Sequence, residues 1–154
     1  MCFLEAAGKQ EILCRTPLAG PAGQFWLRGL MEPFGLRRED VLIANVLRCH
    51  PPKNTYPTGK LRDLAEHHCR QYDEAIRAFS PNLFIVTFHP AAILRTPAYY
   101  EPTKRAVEKA LGFLERGFRP CLLMGDKAAK LVFPIIAEEN LTRWQGHWFQ
   151  GEWP

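Results

Sequence analysis

Short apolar runs alternate with amphipathic stretches along the 154-residue chain. The runs are rich in β-branched and apolar residues, which indicates buried strands, and the stretches between them show helical spacing. The predicted strands cover residues 2–4, 41–47, 83–88 and 121–124. The predicted helices cover residues 24–34, 60–79, 102–118 and 127–132. This alternation predicts one α/β domain over residues 1–154, a three-layer α/β/α fold with a central, mainly parallel four-stranded sheet.

The loops that follow the predicted strands are where chemistry is expected, because open α/β sheets bind ligands beyond the carboxyl ends of their strands. Three of these loops carry unusual residues. They read EAAG after the first strand, NVLRCHPP around the end of the second, and FHPAAILR at the end of the third. Acidic, amide and imidazole side chains therefore come together at one edge of the predicted sheet.

Composition adds only a few constraints. The net charge of +4 and the pI near 8.9 are compatible with nucleic-acid binding without establishing it. No apolar run approaches the roughly 20 residues that span a bilayer, and no secretory signal is evident, so we expect a cytoplasmic protein without a membrane partner. The five cysteines are odd in number, which favours thiols or metal ligands over a disulfide framework.

Together the three loops resemble those of the iron–sulfur uracil-DNA glycosylases. The family patterns are E-A-P-G-x-x-E…P-F-V-G-P-A-G, N-V-V-K-C-R-P-P and T-F-H-P-S-Y-L-L-R. In the first pattern the shared positions, in register without a gap, are Glu5, Ala6, Gly8, Glu11, Pro17, Gly20, Pro21, Ala22 and Gly23. The resemblance follows the family's motif order up to the third loop. In the remainder of the chain the family motifs recur in a different order.

The resemblance implies a DNA-repair enzyme that hydrolyses the N-glycosidic bond of a flipped uracil, with uracil-containing DNA as partner and a monomeric state. The implied catalytic residues are Glu5, Glu11 and His89. The implied base-binding residues are Ala6, Gly8, Leu18, Asn45 and His89. The implied DNA contacts are Gly20, Pro21, Ala22, Ala91, Ile93, Leu94 and Arg95.

The chemistry of these side chains agrees with the implied roles. The amide of Asn45 offers an acceptor and two donors, which suit the alternating edge of uracil. His89 can stabilise the departing base through a hydrogen bond to a uracil oxygen. Either Glu5 or Glu11 can position water or stabilise the sugar cation. Residues 92–95 would form the wedge that fills the gap in the duplex, with Leu94 or Ile93 inserted.

Each of these residues also has a structural explanation when it is taken alone. Glu5 can be a solvated carboxylate or a helix cap, Asn45 can bond the backbone, and His89 can be a structural histidine before a proline. Their shared position at one edge of the sheet favours the functional interpretation.

Two cysteines, Cys49 and Cys69, align with two of the four thiolates that hold a [4Fe–4S] cluster in the resembled family. The other two family cysteines lie upstream of the first strand and have no counterpart in this chain. The resemblance therefore implies a cluster in the full-length protein, with an incomplete ligand set here. The alternative is that Cys49 and Cys69 are plain thiols.

The chain also departs from the family pattern. Leu4 and Ala7 replace a glycine and a proline, Ala91 replaces a serine, and Leu18 stands where the family has a phenylalanine that stacks on uracil. The segment RPCLLMGDKAAK resembles a family strand that normally precedes the His-Pro strand, but here it follows that strand. Either the topology is rearranged or the sequence is truncated.

Two other functions stay open. One is a glycosylase-like protein with weak or no catalysis that binds nucleic acid, of viral origin or associated with a polymerase; the loss of the stacking aromatic at Leu18 favours it. The other is an unrelated α/β enzyme that binds a nucleotide or phosphate at residues 125–127, although this run lacks a P-loop pattern.

Overall fold

The computed structural model describes residues 1–70, 74–133 and 140–153. The strands are β1 (Cys2–Ala6), β2 (Ile43–Leu47), β3 (Leu83–Thr87), β4 (Pro120–Met124) and β5 (Trp148–Gln150). The α-helices are α1 (Lys9–Cys14), α2 (Pro21–Trp26), α3 (Gly59–Arg70), α4 (Glu74–Phe79), α5 (Pro90–Arg95), α6 (Tyr100–Leu114), α7 (Asp126–Val132) and α8 (Leu141–Trp144). Short π and 3₁₀ turns extend α2 through Phe34. Part of the predicted helix over 60–79, residues 71–73, lies outside the described residues.

The predicted α/β fold with a mainly parallel sheet is confirmed, and the sheet has one strand more than expected. Its order is β2-β1-β4-β3-β5. The four expected strands run parallel, and β5 pairs antiparallel with β3, with Ile85 opposite Trp148. β5 has only three residues, and both of its ends are exposed, so it leaves almost no hydrophobic pattern in the sequence. By pairing with β3 it covers an edge that would otherwise present unpaired backbone groups.

The inner position of β4 explains the unusual order of the motifs. β4 follows β3 in the chain but lies between β1 and β3 in the sheet. It pairs with β3 along Leu83–Thr87 and with β1 at Cys2 and Phe3. The segment RPCLLMGDKAAK therefore lies between the strands that precede the first and third motif loops, although it follows both of them in the chain.

Helices cover both faces of the sheet and form two apolar layers. Along β3, Leu83 and Ile85 point into the layer that contains Trp26 and α6. Phe84 and Val86 point into the opposite layer, with Ile76 of α4 and the apolar face of α7. Because every residue of β3 is buried, the strand appears in the sequence as a continuous apolar run rather than an alternating one. Within the described residues, no helix has both the length and the apolar character needed to cross a membrane.

We expect Phe84→Ala to lower the free energy of unfolding by about 3–5 kcal/mol, because it leaves a cavity at the centre of one layer. Phe84 is 0% exposed and its ring packs edge-on against Phe133. Leu114→Ala is the control, since Leu114 is 51% exposed and its loss should cost no more than about 0.5 kcal/mol. Urea denaturation measures both, and equal losses would contradict this account of the core.

Candidate active site

A cavity of about 510 Å³, called the site cavity below, lies at the carboxyl ends of the parallel strands. Loops after β1, β2 and β3 all contribute to its walls. Ten of the candidate catalytic, base-binding and DNA-contact residues line it, namely Ala6, Gly8, Glu11, Leu18, Gly20, Pro21, Ala22, Asn45, His89 and Ala91. A neighbouring cavity of about 460 Å³ shares only Glu11 and Asn45 with this set. The site cavity is therefore the place where the sequence motifs meet.

Two glycines hold the carboxylate of Glu11 in the wall of the site cavity. The backbone N–H of Gly20 donates to Oε1 of Glu11 at 3.3 Å. A β-carbon at Gly8 would collide with the carboxylate, and one at Gly20 would lie 3.4 Å from it. The spacing of Gly8, Glu11 and Gly20 is thus explained by one contact: glycine leaves room for the acidic group to lie against the backbone.

Glu5, the other candidate carboxylate, is not among the described residues that line the site cavity. It is partly buried at the end of β1, and its electrostatic neighbours include Asp126 and Lys127 of α7. Burial, reinforced by the charge of Asp126, raises the pKa of Glu5 above its usual range. Of the two carboxylates that the sequence left open, Glu11 faces the cavity.

His89 is held as a neutral imidazole at the start of α5. The backbone N–H of Ala91 donates to Nδ1 at 3.2 Å, so Nδ1 carries no proton. Burial, together with the positive charge of Arg95, lowers the pKa of His89 to about 4, against opposing effects of Glu11 and Asp126. The neutral ring therefore carries its hydrogen on Nε2, which makes this atom a donor.

A glycine that sequence reasoning did not single out for this role supports His89. Gly125, which precedes α7, has φ of 92°, a conformation that residues with a side chain rarely adopt. Its N–H donates to the carbonyl of Thr87 at 2.9 Å. A β-carbon there would lie 3.2 Å from Cβ of His89. The only sequence signal is a glycine directly after β4, which gives no hint of contact with a histidine on another strand.

Leu18 forms an apolar wall of the site cavity and depends on Gly23. Leu18 is buried with φ of 59°, and a β-carbon on Gly23 would overlap its carbonyl group. Among the described residues that line the cavity there is no Phe, Tyr or Trp. No ring from these residues is therefore available to stack on a ligand there.

The two candidates for the inserted wedge residue have different environments. Ile93 is 2% exposed and packs in the core beside α6, whereas Leu94 is 48% exposed. Arg95, at the end of α5, is also exposed. Only Leu94 of the two apolar side chains is available at the surface.

Comparison with known proteins gives partial matches to type-4 uracil-DNA glycosylases. A type-4 uracil-DNA glycosylase of Archaeoglobus fulgidus is 41% identical over 81 residues, which is 53% of this chain and 39% of that protein. A type-4 uracil-DNA glycosylase of Thermotoga maritima is 44% identical over 63 residues, 41% of this chain and 32% of that protein. These matches support membership of the uracil-DNA glycosylase superfamily. The matched segments span well under half of each relative, and no family model matches the chain.

The cysteines do not form a site that fits the iron–sulfur cluster implied by the type-4 resemblance. Cys49 is exposed in the loop after β2, and Cys69 is buried on α3. Within residues 1–70, 74–133 and 140–153, no group of three or more His, Cys, Asp or Glu side chains is arranged to hold a metal ion. A cluster normally needs four thiolates.

We expect Gly23→Ala to destabilise the protein by about 1–3 kcal/mol, because the new methyl group must displace the backbone at Leu18. Gly112→Ala in α6 is the matched control. It meets nothing within 4 Å and should stabilise its helix by up to about 1 kcal/mol. Chemical denaturation measures both changes. Stabilisation by both substitutions would contradict the proposed contact between Gly23 and Leu18.

The pKa of His89 predicts a pH dependence of stability. Because the folded value of about 4 lies below the ordinary value of 6.5, the unfolded chain binds more protons between these limits. Stability should therefore fall as the pH falls through this window. We expect the wild type to lose more unfolding free energy than His89→Gln between about pH 7 and about pH 4.5 in urea titrations. Equal losses in the two proteins would contradict the assignment.

Proposed function

We propose that the chain is a DNA-repair glycosylase that hydrolyses the N-glycosidic bond of a flipped uracil in DNA. The observation that carries this proposal is that Asn45, Glu11 and His89 line one cavity at the carboxyl ends of the parallel strands. The names of the relatives, which are uracil-DNA glycosylases, support uracil as the base. Convergence of an amide, a carboxylate and an imidazole is what such a reaction requires.

Recognition of the base falls to Asn45 in this proposal. Its side-chain amide can donate to one uracil oxygen and accept from the adjacent ring N–H. Gly8 and Ala6 leave space beside it for a base edge to approach the backbone. Leu18 supplies an apolar surface for the ring but no stacking, which is worth about 1–3 kcal/mol per base.

In bond cleavage, His89 stabilises the negative charge that develops on the base, and Glu11 stabilises the positive charge on the sugar. The Nε2–H of His89 donates to a uracil oxygen as negative charge develops on the departing base. A neutral donor suits this role, because its proton remains in place when the pH is near neutral. The carboxylate of Glu11 stabilises the positive charge on the sugar, as carboxylates do in glycoside hydrolysis. The position of Glu5 outside the cavity supports Glu11 for this role.

DNA would lie across the loops around the site cavity. Gly20, Pro21 and Ala22 form one side of the opening, and Ala91 forms another. Leu94 is the wedge that enters the duplex, because Ile93 is committed to the core. Arg95 next to it is exposed and can face a phosphate.

Several expectations stay predictions. These are a single domain over residues 1–154, a monomeric state and a cytoplasmic location. No step of the proposed reaction runs through Cys49 or Cys69.

A second candidate is a glycosylase-like protein that binds DNA without cleaving it. The absence of Phe, Tyr and Trp from the described residues lining the site cavity favours it, since a weakly held base reacts slowly. Its signature would be salt-dependent DNA binding with no released base.

We expect the purified chain to release uracil from a uracil-containing oligonucleotide and Asn45→Ala to abolish this release. The side chain of Asn45 is only partly buried, so its removal should leave the urea midpoint nearly unchanged. Asn140→Ala is the matched control, because Asn140 is exposed and caps α8 far along the chain from the motif loops. This control should release uracil at the wild-type rate.

Uracil release by the wild type and by both variants is measured in one gel assay, in which alkali cleaves the DNA wherever a base has been removed. A folded wild-type chain that releases no uracil from single- or double-stranded DNA would exclude the glycosylase and leave the binding protein. An Asn45→Ala variant as active as the wild type would exclude the assigned recognition.

A further inference from the structure

His50 also lies in the wall of the site cavity, beside the residues with proposed roles. Its Nδ1 is 3.1 Å from the carbonyl oxygen of Ala7. A carbonyl oxygen can only accept a hydrogen bond, so Nδ1 must be the donor. In the neutral ring, Nε2 is then an acceptor with a free lone pair.

His89 has the opposite arrangement. Its Nδ1 accepts the N–H of Ala91, so its Nε2 is a donor. Two histidines that line one cavity therefore present Nε2 atoms of opposite hydrogen-bonding character. A donor suits a departing base, and an acceptor suits a group that gives up a proton.

The anchor of His50 ties it to the loop that carries Glu11. Ala7 is tied to β2 by a hydrogen bond of 3.1 Å from its N–H to the carbonyl of Leu47. The next residue, Gly8, lies directly against the Glu11 carboxylate. His50 and Glu11 thus contact adjacent residues of one loop, and both line the site cavity. A water molecule in this cavity has two O–H groups to donate, and both side chains offer acceptors.

We propose that His50 is a further catalytic residue, the general base that takes a proton from the attacking water. The inference rests on the proposed glycosylase function. The water oxygen forms a bond to C1′ of the sugar as the bond from C1′ to the base breaks. The electron pair of the broken bond leaves with the base, toward the Nε2–H of His89. The proton of the water passes to Nε2 of His50, and Glu11 offsets the resulting positive charge.

Two substitutions separate this role from a purely structural one. In His50→Asn, the side-chain NH₂ can occupy the place of Nδ1 and keep the bond to Ala7, but the acceptor at the place of Nε2 is lost. In His50→Gln, the amide oxygen reaches the place of Nε2 while the bond to Ala7 is lost. His147→Asn is the control, because His147 is exposed between α8 and β5.

The experiment measures single-turnover release of uracil with enzyme in excess, together with affinity for DNA that carries a 2′-fluorinated, non-cleavable deoxyuridine. We expect His50→Asn to slow release by about 10²-fold or more, the usual contribution of a general base. His50→Gln should be slowed at least as much, because an amide oxygen accepts a hydrogen bond but cannot take the proton, and His147→Asn should match the wild type. Affinity for the non-cleavable DNA should stay within about twofold in all variants, because the lost group acts on water and not on the base.

The outcomes distinguish this inference from the function on which it rests. An active wild type with His50→Asn at the wild-type rate overturns the inference alone. Wild-type release by His50→Asn beside slow release by His50→Gln would show that the bond to Ala7 is what matters. A wild type that releases no base overturns the proposed function and this inference with it.

Discussion

Backbone pairing of β1 with β2 and β4 is the interaction on which the rest of the site depends. β1 lies inside the sheet, with Leu4 opposite Asn45 of β2 and Phe3 opposite Leu123 of β4. This register brings the amide of Asn45 next to the loop that carries Glu11. A shift of one residue would turn each side chain of β2 to the other face of the sheet and remove Asn45 from the cavity. Main-chain hydrogen bonds therefore set the position of the chemistry before any side chain contributes.

Burial and charge then give the polar side chains different states. The pKa values of His89 and Glu5 shift in opposite directions, because burial penalises the charged form of each. His89 becomes a neutral donor. Asp126 is also partly buried, which alone would raise its pKa, but hydrogen bonds and charges from Lys127 and Lys130 lower it. The carboxylate of Asp126 is thus paired with Lys127 and Lys130 of the same helix, whereas the His89 ring in the site cavity stays neutral.

Glycine determines the shape of the cavity where side chains approach the backbone. Gly8 and Gly20 admit the Glu11 carboxylate, Gly23 admits the carbonyl of Leu18, and Gly125 admits His89. Three of these contacts lie within the loop after β1, whereas the contact of Gly125 with His89 joins segments that are distant in the sequence. Substitution is most restricted at Gly23, which lies against backbone, and at Gly125, which has a positive φ.

The strands, most of the helices and the loops that carry chemistry could be predicted from the sequence, because buried parallel strands are continuous apolar runs and their carboxyl ends collect ligands. The resemblance of these loops to a glycosylase family then implied roles for Asn45, Glu11 and His89. The sequence could not choose between Glu5 and Glu11, or between Leu94 and Ile93, since each pair is close in the chain and differs only in the face it presents. It also did not reveal β5, the inner place of β4 or the contact of Gly125 with His89. Those depend on pairing between distant segments, which local patterns do not encode. The tautomers of His50 and His89 were likewise decided by the carbonyl and the N–H that the folded chain brings to each ring.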